Sequence, residues 1–317
     1  VNHAKFDRRA IPAEATESRW VAGDGHEIRR IDWPGAGAKP RGSILFFPGR
    51  GDAYEKYLET LHGLHDAGWR VTGADWRGQA GSGRLGDDPV TGHIDDFNTW
   101  VQDLGAFWQE WVAETPGPHV LMGHSMGGHL VLRALADGAV APDAMVLSAP
   151  MLGFFGNFLP NSWMHRLAKL ILRLRGGTTP AWKWSEKPGE IPVGRINLLT
   201  HDKDRYEDEL WWREERPELV MGPGSWGWVE RSYASMRSLF APGRLEAIKT
   251  PILLVGTSND KLVDIRAIRE AASRLPNAEL LEFGREAHHE VLREVEAVRG
   301  KALSAIDEFL ERNAPAK

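Results

Sequence analysis

One stretch of the chain is suited to nucleophilic chemistry. Gly123-His124-Ser125-Met126-Gly127-Gly128 matches G-x-S-x-G, with the apolar run His119-Val-Leu-Met-Gly123 before it and a helical pattern to about Ala139 after it. So sharp a strand-to-helix turn accepts only small residues two places before and two after the serine, and Gly123 and Gly127 fill both places. The strain lifts the hydroxyl clear of the backbone, and the helix N-terminus behind it favours developing negative charge. A serine hydroxyl needs a base to take its proton, and the base needs an orienting carboxylate. For a serine on such a turn the partners follow in chain order, acid then histidine. Thr257-Ser-Asn-Asp260 comes directly after the apolar run Pro251–Gly256 and supplies the acid. Asp264, its competitor, opens the next helix, where capping accounts for it. The histidine belongs after the last strand, where Gly284-Arg-Glu-Ala-His288-His289-Glu290-Val-Leu offers two adjacent candidates that spacing does not separate.

Acyl transfer also needs two backbone N–H donors for the oxyanion. Met126, next after the serine, gives one. The other falls in Phe46-Phe47-Pro48-Gly49-Arg50-Gly51-Asp52, where Arg50 N–H is the candidate and the glycines let the main chain approach the substrate oxygen. His124 reads as packing beside the serine, His129 as part of the following helix, and His62, His65 and His165 as helix-surface or packing residues. The chain contains 0 Cys, which excludes disulfides, thiolate catalysis and cysteine-based zinc or iron–sulfur sites. No His–carboxylate set has ligand spacing without borrowing the serine's partners, so neither metal nor cofactor is expected. A net charge of −5 over 317 residues, from 39 Lys+Arg and 44 Asp+Glu, gives no reason to expect nucleic acid.

Hydrophobic periodicity reveals the elements that must position these groups. Residues 18–33 read as two short strands around Gly23-Asp24-Gly25. Ser43–Phe47 is a buried strand. Tyr57, Leu58, Leu61 and Leu64 have helical spacing, stopped by Gly68. Trp69–Asp75 is a strand, and Ile94, Phe97, Val101, Leu104, Trp108 and Trp111 mark an amphipathic helix. Strands at Ala144–Ser148 and Pro251–Gly256 follow, then a helix at 265–274, a strand at Ala278–Phe283 and a last helix at 290–312. This alternation predicts an α/β fold, a mostly parallel central sheet with helices on both faces.

The rhythm breaks between 151 and 245, where strand signals vanish and Pro, Gly and Trp accumulate. An insertion between two strands of an α/β sheet lands at one end of it, where ligands bind. The expected organisation is a core of 1–150 and 246–317 with a cap of 151–245. Seven of the 14 Trp lie in that cap: Trp163, Trp182, Trp184, Trp211, Trp212, Trp226 and Trp228. Beside a serine nucleophile, such side chains suit an acyl chain. Phe154, Trp211, Trp212, Trp226 and Trp228 are the candidate substrate-binding residues, the four tryptophans being expected to be partly exposed. Arg205, Arg213 and Arg216 could pair with a phosphate, which would favour a lysophospholipid over a monoacylglycerol, but they lie among Asp202, Asp204, Glu207, Asp208 and Glu209, which reads as a mixed-charge solvated surface. Residues 151–174 form the most apolar stretch, with Phe154, Phe155, Phe158, Leu159, Trp163, Leu167, Leu170, Ile171 and Leu174. Gly156, Asn157, Pro160 and Asn161 break it, and Arg173 and Arg175 close it. Such a segment suits lying on a membrane interface rather than crossing it. The N-terminal residues show no apolar signal segment, so a cytoplasmic location is expected, with peripheral membrane contact open through the cap.

Taken together, these residues resemble the α/β-hydrolase superfamily, and more closely its lysophospholipase/monoacylglycerol-lipase branch. Pro48-Gly-Arg-Gly-Asp-Ala-Tyr-Glu-Lys-Tyr57 resembles the oxyanion loop with its trailing Glu and Tyr. Asp75-Trp-Arg-Gly-Gln-Ala-Gly-Ser-Gly83 is similar to the family's D-x-R-G-x-G-x-S segment. Asn197-Leu-Leu-Thr-His-Asp202 with Arg205-Tyr206 resembles the cap motif of bacterial lysophospholipase L2-like proteins. His289-Glu-Val-Leu-Arg-Glu294 is similar to the family's histidine segment, and this likeness selects His289 over His288. The family's usual His-Gly in the oxyanion loop is Pro48-Gly49 here, and Gln79-Ala80 replaces the commoner step after Arg77-Gly78. The resemblance implies a serine hydrolase that cleaves carboxylic esters of lipid-like monoesters, a lysophospholipid or a monoacylglycerol, through an acyl-enzyme. Ser125, Asp260 and His289 would be its triad, and a small-molecule acyl ester its partner. The alternatives are a short-chain carboxylesterase, thioesterase or lactonase, and a hydrolase-fold sensor that binds a small molecule without turnover.

Overall fold

The computed structural model describes residues 6–35, 40–156, 161–183 and 194–316. In chain order the elements are β1 (Thr16–Val21), β2 (Glu27–Trp33), β3 (Ser43–Phe47), α1 (Leu58–Asp66), β4 (Arg70–Ala74), α2 (Phe97–Glu114), β5 (His119–His124), α3 (Met126–Ala136) and β6 (Ala144–Ser148). They continue with α4 (Asn161–Arg175), α5 (Ile196–Leu199), α6 (Lys203–Glu215), α7 (Trp226–Leu239), β7 (Ile252–Thr257), α8 (Ile265–Arg274), β8 (Ala278–Phe283) and α9 (Glu296–Asn313). Among the described residues, eight strands form one sheet in the order β1-β2-β4-β3-β5-β6-β7-β8. The run from β4 to β8 is parallel, and β2 pairs antiparallel with β1 and β4.

The parallel strands are apolar on both faces because both faces are covered. Leu45, Phe47, Leu121, Met145, Leu147, Ile252 and Leu254 point into one cluster with residues of α2, α3 and α8. Their neighbours Ile44, Phe46, Val120, Met122, Val146, Leu253 and Val255 point into the other, with residues of α1 and α9. This period of two turns continuous hydrophobic runs into two separate cores. Trp33, Trp69, Trp76, Trp100 and Trp111 are fully buried within this body.

The 290–312 helix begins later than its apolar spacing suggests. Val291–Arg293 is a single 3₁₀ turn, and α9 starts at Glu296. Tertiary bonds hold the earlier residues: His289 and Glu290 N–H donate to the Leu198 and Leu199 carbonyls, and Thr200 Oγ1 donates to the Arg293 carbonyl. The helix after Ser125 likewise ends at Ala136, with Gly138 at φ +74° turning the chain away.

Between β6 and β7 the described residues are helical or irregular, apart from single bridges such as Phe154 with Val263. α4 packs on α7, and α7 on α3. α6 instead packs near the 3₁₀ turn Tyr54–Tyr57 before α1. The Arg205–Arg216 region differs from a solvated charged face. Arg205 is buried against Glu59, Asp202 and Glu296, Arg213 pairs with Glu209, and Arg216 bridges Glu17 and Glu55. Arg213 meets an acid of its own helix, but Glu59 and Glu296 reach Arg205, and Glu17 and Glu55 reach Arg216, from elsewhere in the chain, a grouping invisible to local charge alternation.

One buried ion pair ties the antiparallel edge to the rest. Arg29 of β2 donates to Asp75 Oδ2 at 2.8 Å and to both Glu55 oxygens at 2.6 and 2.9 Å. Removing one partner of a buried pair strands the other charges and costs about 3–5 kcal/mol. Arg29→Met is expected to lower stability by about that amount, measured by urea unfolding.

Candidate active site

β5 delivers Ser125 to the carboxyl end of the sheet at φ +52°, a conformation an L-residue adopts only under strain. The neighbouring glycines make that turn possible. A Cβ on Gly127 would stand 2.3 Å from the Pro48 carbonyl oxygen, and one on Gly123 would stand 2.7 Å from the Gly127 backbone. The turn is bound on both sides. Ser125 N–H donates to the Ser148 carbonyl, and the Ser125 carbonyl accepts from His129 and Met151 N–H.

The three residues expected to act together do meet. Ser125 Oγ lies 2.9 Å from His289 Nε2, and His289 Nδ1 lies 2.7 Å from Asp260 Oδ2. Asp260 Oδ1 accepts from Leu262 and Val263 N–H at 2.7 and 3.0 Å. One carboxylate oxygen is therefore held by the backbone and the other is aimed at the imidazole. Burial would raise the Asp260 pKa, yet the His289 contact and the two backbone donors outweigh it and hold the carboxyl below its ordinary range. Burial would lower that of His289, but the Asp260 carboxylate outweighs it and raises the imidazole above its usual value.

The competitors have other work. Asp264 accepts from Arg266 N–H and caps α8. His288 stacks on His201 with centroids 3.9 Å apart, while its Nδ1 faces the Asn259 side-chain amide. His124 packs 4.8 Å from the His289 ring, and burial drives its pKa down to about 3, so it stays neutral there. His129 and His165 are bound to Ser235 and Glu230.

The loop after β3 passes directly over the serine. A Cβ on Gly49 would stand 3.1 Å from Ser125 Cβ, a tight contact that glycine avoids. Trp76 Nε1 holds this loop by the Pro48 carbonyl, and Gln79 Oε1 accepts from Gly51 N–H. Gln79, at the departure after Arg77-Gly78, thus holds the loop in place. Arg50 and Met126 flank the serine from the loop and from α3. Met126 N–H, in the first helical turn, has no acceptor within its own helix. The Arg50 guanidinium reaches the Gly222 carbonyl and sits about 5 Å from the Trp182 and Trp228 rings.

Periodicity gave no hint of the buried charge cluster beside this loop. Lys56 Nζ contacts Asp52 at 2.9 Å, Glu209 at 3.0 Å and Glu290 at 2.6 Å. Arg195 and Arg213 also pair with Glu209, and Arg293 pairs with Glu209 and Glu290. Despite burial, the cations hold Glu290 down to about 2, and the carboxylates keep Lys56 charged. The sequence signal available for it was the Asp52-x-x-x-Lys56 spacing and the Glu290 that follows His289.

A cavity of about 710 Å³ opens above Ser125 and His289. Its lining includes the apolar Met151, Phe154, Trp182, Trp228, Val229 and Leu262 and the charged Asp52, Lys56, Arg195 and Glu290. Of the five candidate substrate-binding residues, Phe154 and Trp228 line it. Trp228 is buried, its Nε1 3.4 Å from Met126 Sδ. Trp211, Trp212 and Trp226 do not line it. Trp212 is buried rather than partly exposed. It packs with the α1 and α9 core and donates to the Arg8 carbonyl, and Trp211 packs against the same cluster. α6 turns that face toward the body, away from the serine. Trp182 was missed as a lining residue, and Trp184, Phe158 and Leu159 lie outside the described residues.

If His289 accepts the serine proton, activity requires its neutral form and falls as pH drops through its raised pKa. The acid limb of kcat/KM is therefore expected above the ordinary histidine value of 6.5. Asp260→Asn removes the carboxylate that raises this pKa, so any residual activity should show a limb at lower pH. It should also cost on the order of 10⁴-fold in kcat. Asp264→Asn should leave both unchanged, as pH–rate profiles on a soluble ester will show.

Over residues 38–296 the chain matches the family described as Serine aminopeptidase, S33. It is 34% identical over 286 residues to Lysophospholipase L2 of Escherichia coli strain K12, covering 86% of this chain and 81% of that protein. It is 26% identical over 262 residues to a monoacylglycerol lipase of Mycolicibacterium smegmatis, covering 81% and 84% of the two chains. Its fold is similar to that of a soluble variant of monoglyceride lipase from Saccharomyces cerevisiae in complex with a substrate analog. That match has a TM-score of 0.74 at 16% identity and covers 98% of this chain and 99% of that one.

Proposed function

The chain belongs to the family described as Serine aminopeptidase, S33, and has the α/β-hydrolase fold; on that premise we propose that it hydrolyses the carboxylic ester of a lysophospholipid or a monoacylglycerol through an acyl-enzyme. Residues 151–245 act as the cap that shapes the pocket. His289 Nε2 takes the proton of Ser125 as Oγ attacks the ester carbonyl carbon. Asp260 holds the imidazole tautomer and stabilises its cation. The Arg50 and Met126 N–H groups receive the oxyanion. As the tetrahedral intermediate collapses, the alcohol leaves with the proton from His289. Water then attacks the acyl-enzyme, giving its proton to His289, and Ser125 is released with that proton.

The observation that carries this reading is the cavity above Ser125, lined by both apolar and charged side chains. An ester of one acyl chain and one polar alcohol combines the same two characters. Its chain suits Phe154, Trp228 and Val229, and its head group Lys56, Arg195 and Glu290. Names of relatives agree with it: lysophospholipase and monoacylglycerol lipase both describe cleavage of a single acyl chain from a polar alcohol.

Ser125→Ala should lose labelling by a fluorophosphonate probe and lower kcat by roughly 10⁵–10⁶. No labelling of the folded wild type would favour a sensor over an enzyme. On p-nitrophenyl esters of increasing length, then lysophosphatidylcholine and monoacylglycerol, kcat/KM should rise with chain length. A preference for acetyl over all longer chains would sink the lipid reading. Trp228→Ala should cost about 10–200-fold in kcat/KM on a long chain and much less on acetate.

A further inference from the structure

α4 presents to solvent a face that soluble helices ordinarily bury. Trp163, Leu167, Leu170 and Leu174 are 57%, 47%, 54% and 75% exposed. Their spacing of 4, 3 and 4 residues sets them in one stripe. The opposite face is anchored. His165 and Ala168 are buried, His165 bonding Glu230 of α7 at 2.6 Å and Ala168 packing with Tyr233 and Met236. The stripe therefore points away from the protein, and its exposure is not an accident of a loosely placed helix.

The charges on this helix are as one-sided as its apolar residues. Asn161–Arg175 carries Arg166, Lys169, Arg173 and Arg175 and no Asp or Glu, in a chain whose net charge is −5. At 100° per residue, Arg166, Lys169 and Arg173 form a row along one border of the stripe. Among the described residues none of these four cations enters an ion pair, whereas Arg8, Arg29, Arg77, Arg205, Arg216 and Arg293 all do. The Arg166 guanidinium instead lies 5.3 Å from the Trp163 ring. Phe155, Trp182 and Leu262 are also exposed, and the latter two line the cavity above Ser125, so exposed apolar residues reach the cavity itself.

We propose that α4 docks this protein on an anionic lipid bilayer, the stripe Trp163-Leu167-Leu170-Leu174 entering the headgroup–acyl boundary and the row Arg166-Lys169-Arg173 facing lipid phosphates. An apolar face bordered by cations is what an in-plane interfacial helix requires. Antiparallel dimerisation through the stripe would set the cation row beside its own copy, and in either orientation α4 offers no carboxylate to compensate it, so charge favours the bilayer over a second copy. The proposal goes beyond the ester reading and does not depend on it.

The test is co-sedimentation of the full chain with phosphatidylcholine vesicles, with and without roughly a third phosphatidylglycerol. Wild type should bind the anionic vesicles at least tenfold more tightly, and about 1 M salt should remove the difference. The triple variant Arg166→Gln/Lys169→Gln/Arg173→Gln should bind anionic vesicles roughly 100-fold more weakly, at about fivefold per cation. Trp163→Ser/Leu167→Ser/Leu170→Ser should lose binding to both vesicle types. Both variants should keep the wild-type rate on a soluble short-chain ester, which also reports folding. If the serine variant does not fold, the charge variant and salt series decide. Equal binding of wild type to both vesicle types, binding unchanged by either variant, or a wild-type dimer in analytical ultracentrifugation that the serine variant abolishes would each overturn the proposal.

Discussion

The buried ammonium of Lys56 is the constraint on which the site's geometry rests. It lies among three carboxylates from three parts of the chain: Asp52 of the loop after β3, Glu209 of α6, and Glu290 beside His289. Desolvating one cation and three anions costs several kcal/mol for each ion, and only close, well-directed contacts offset it. The arrangement therefore tolerates little displacement of any of the three segments. Asp52 also accepts from Tyr57 OH and Gly49 N–H, so the loop over Ser125 is positioned by the same cluster. Glu290 carries the constraint to the neighbouring histidine. The loop over Ser125, the His289 segment and the helical insertion thus share one charge cluster.

A second constraint is steric. Ser125 is strained, and Gly127 lies so close to the Phe47 and Pro48 carbonyls that a side chain there would collide with the loop. The sheet supplies the rigidity that maintains this strain, since β3, β5 and β6 are buried on both faces and neighbours in register. Carried at the ends of strands of that sheet, Ser125, His289 and Asp260 are held at hydrogen-bond distances of 2.9 and 2.7 Å.

The helical segment between β6 and β7 serves both sides of the cavity. α7 sets Trp228 against Met126, while α5 binds the His289 loop through the Leu198 and Leu199 carbonyls. α4 rides on α7 with its other face unpartnered. A displacement of this segment would therefore disturb the pocket wall and the histidine together.

Much of this was legible in the sequence because its causes are local. Period-two runs specified the parallel strands, glycine spacing specified the turn at Ser125, and chain order placed Asp260 ahead of the histidine. What the sequence left open between His288 and His289 was narrowed there by likeness alone. In the folded chain, His289 faces both Ser125 and Asp260, while His288 faces Asn259 and His201. The tryptophan excess was visible, but its roles were not. Trp211 and Trp212 turn to the core, and Trp182 and Trp228 to the cavity, because a side chain's destination depends on the rotation of its helix against a distant partner. The charge cluster was hidden for the same reason. Lys56 and Glu290 are 234 residues apart, and no local pattern records which carboxylate will meet which cation. Residue type, spacing and strand order were determined by the sequence itself, through steric and hydrophobic rules acting over a few residues. Which histidine, which tryptophans and which charges converge above Ser125 was decided only by tertiary packing, because burial and pairing arise when remote segments exclude water together.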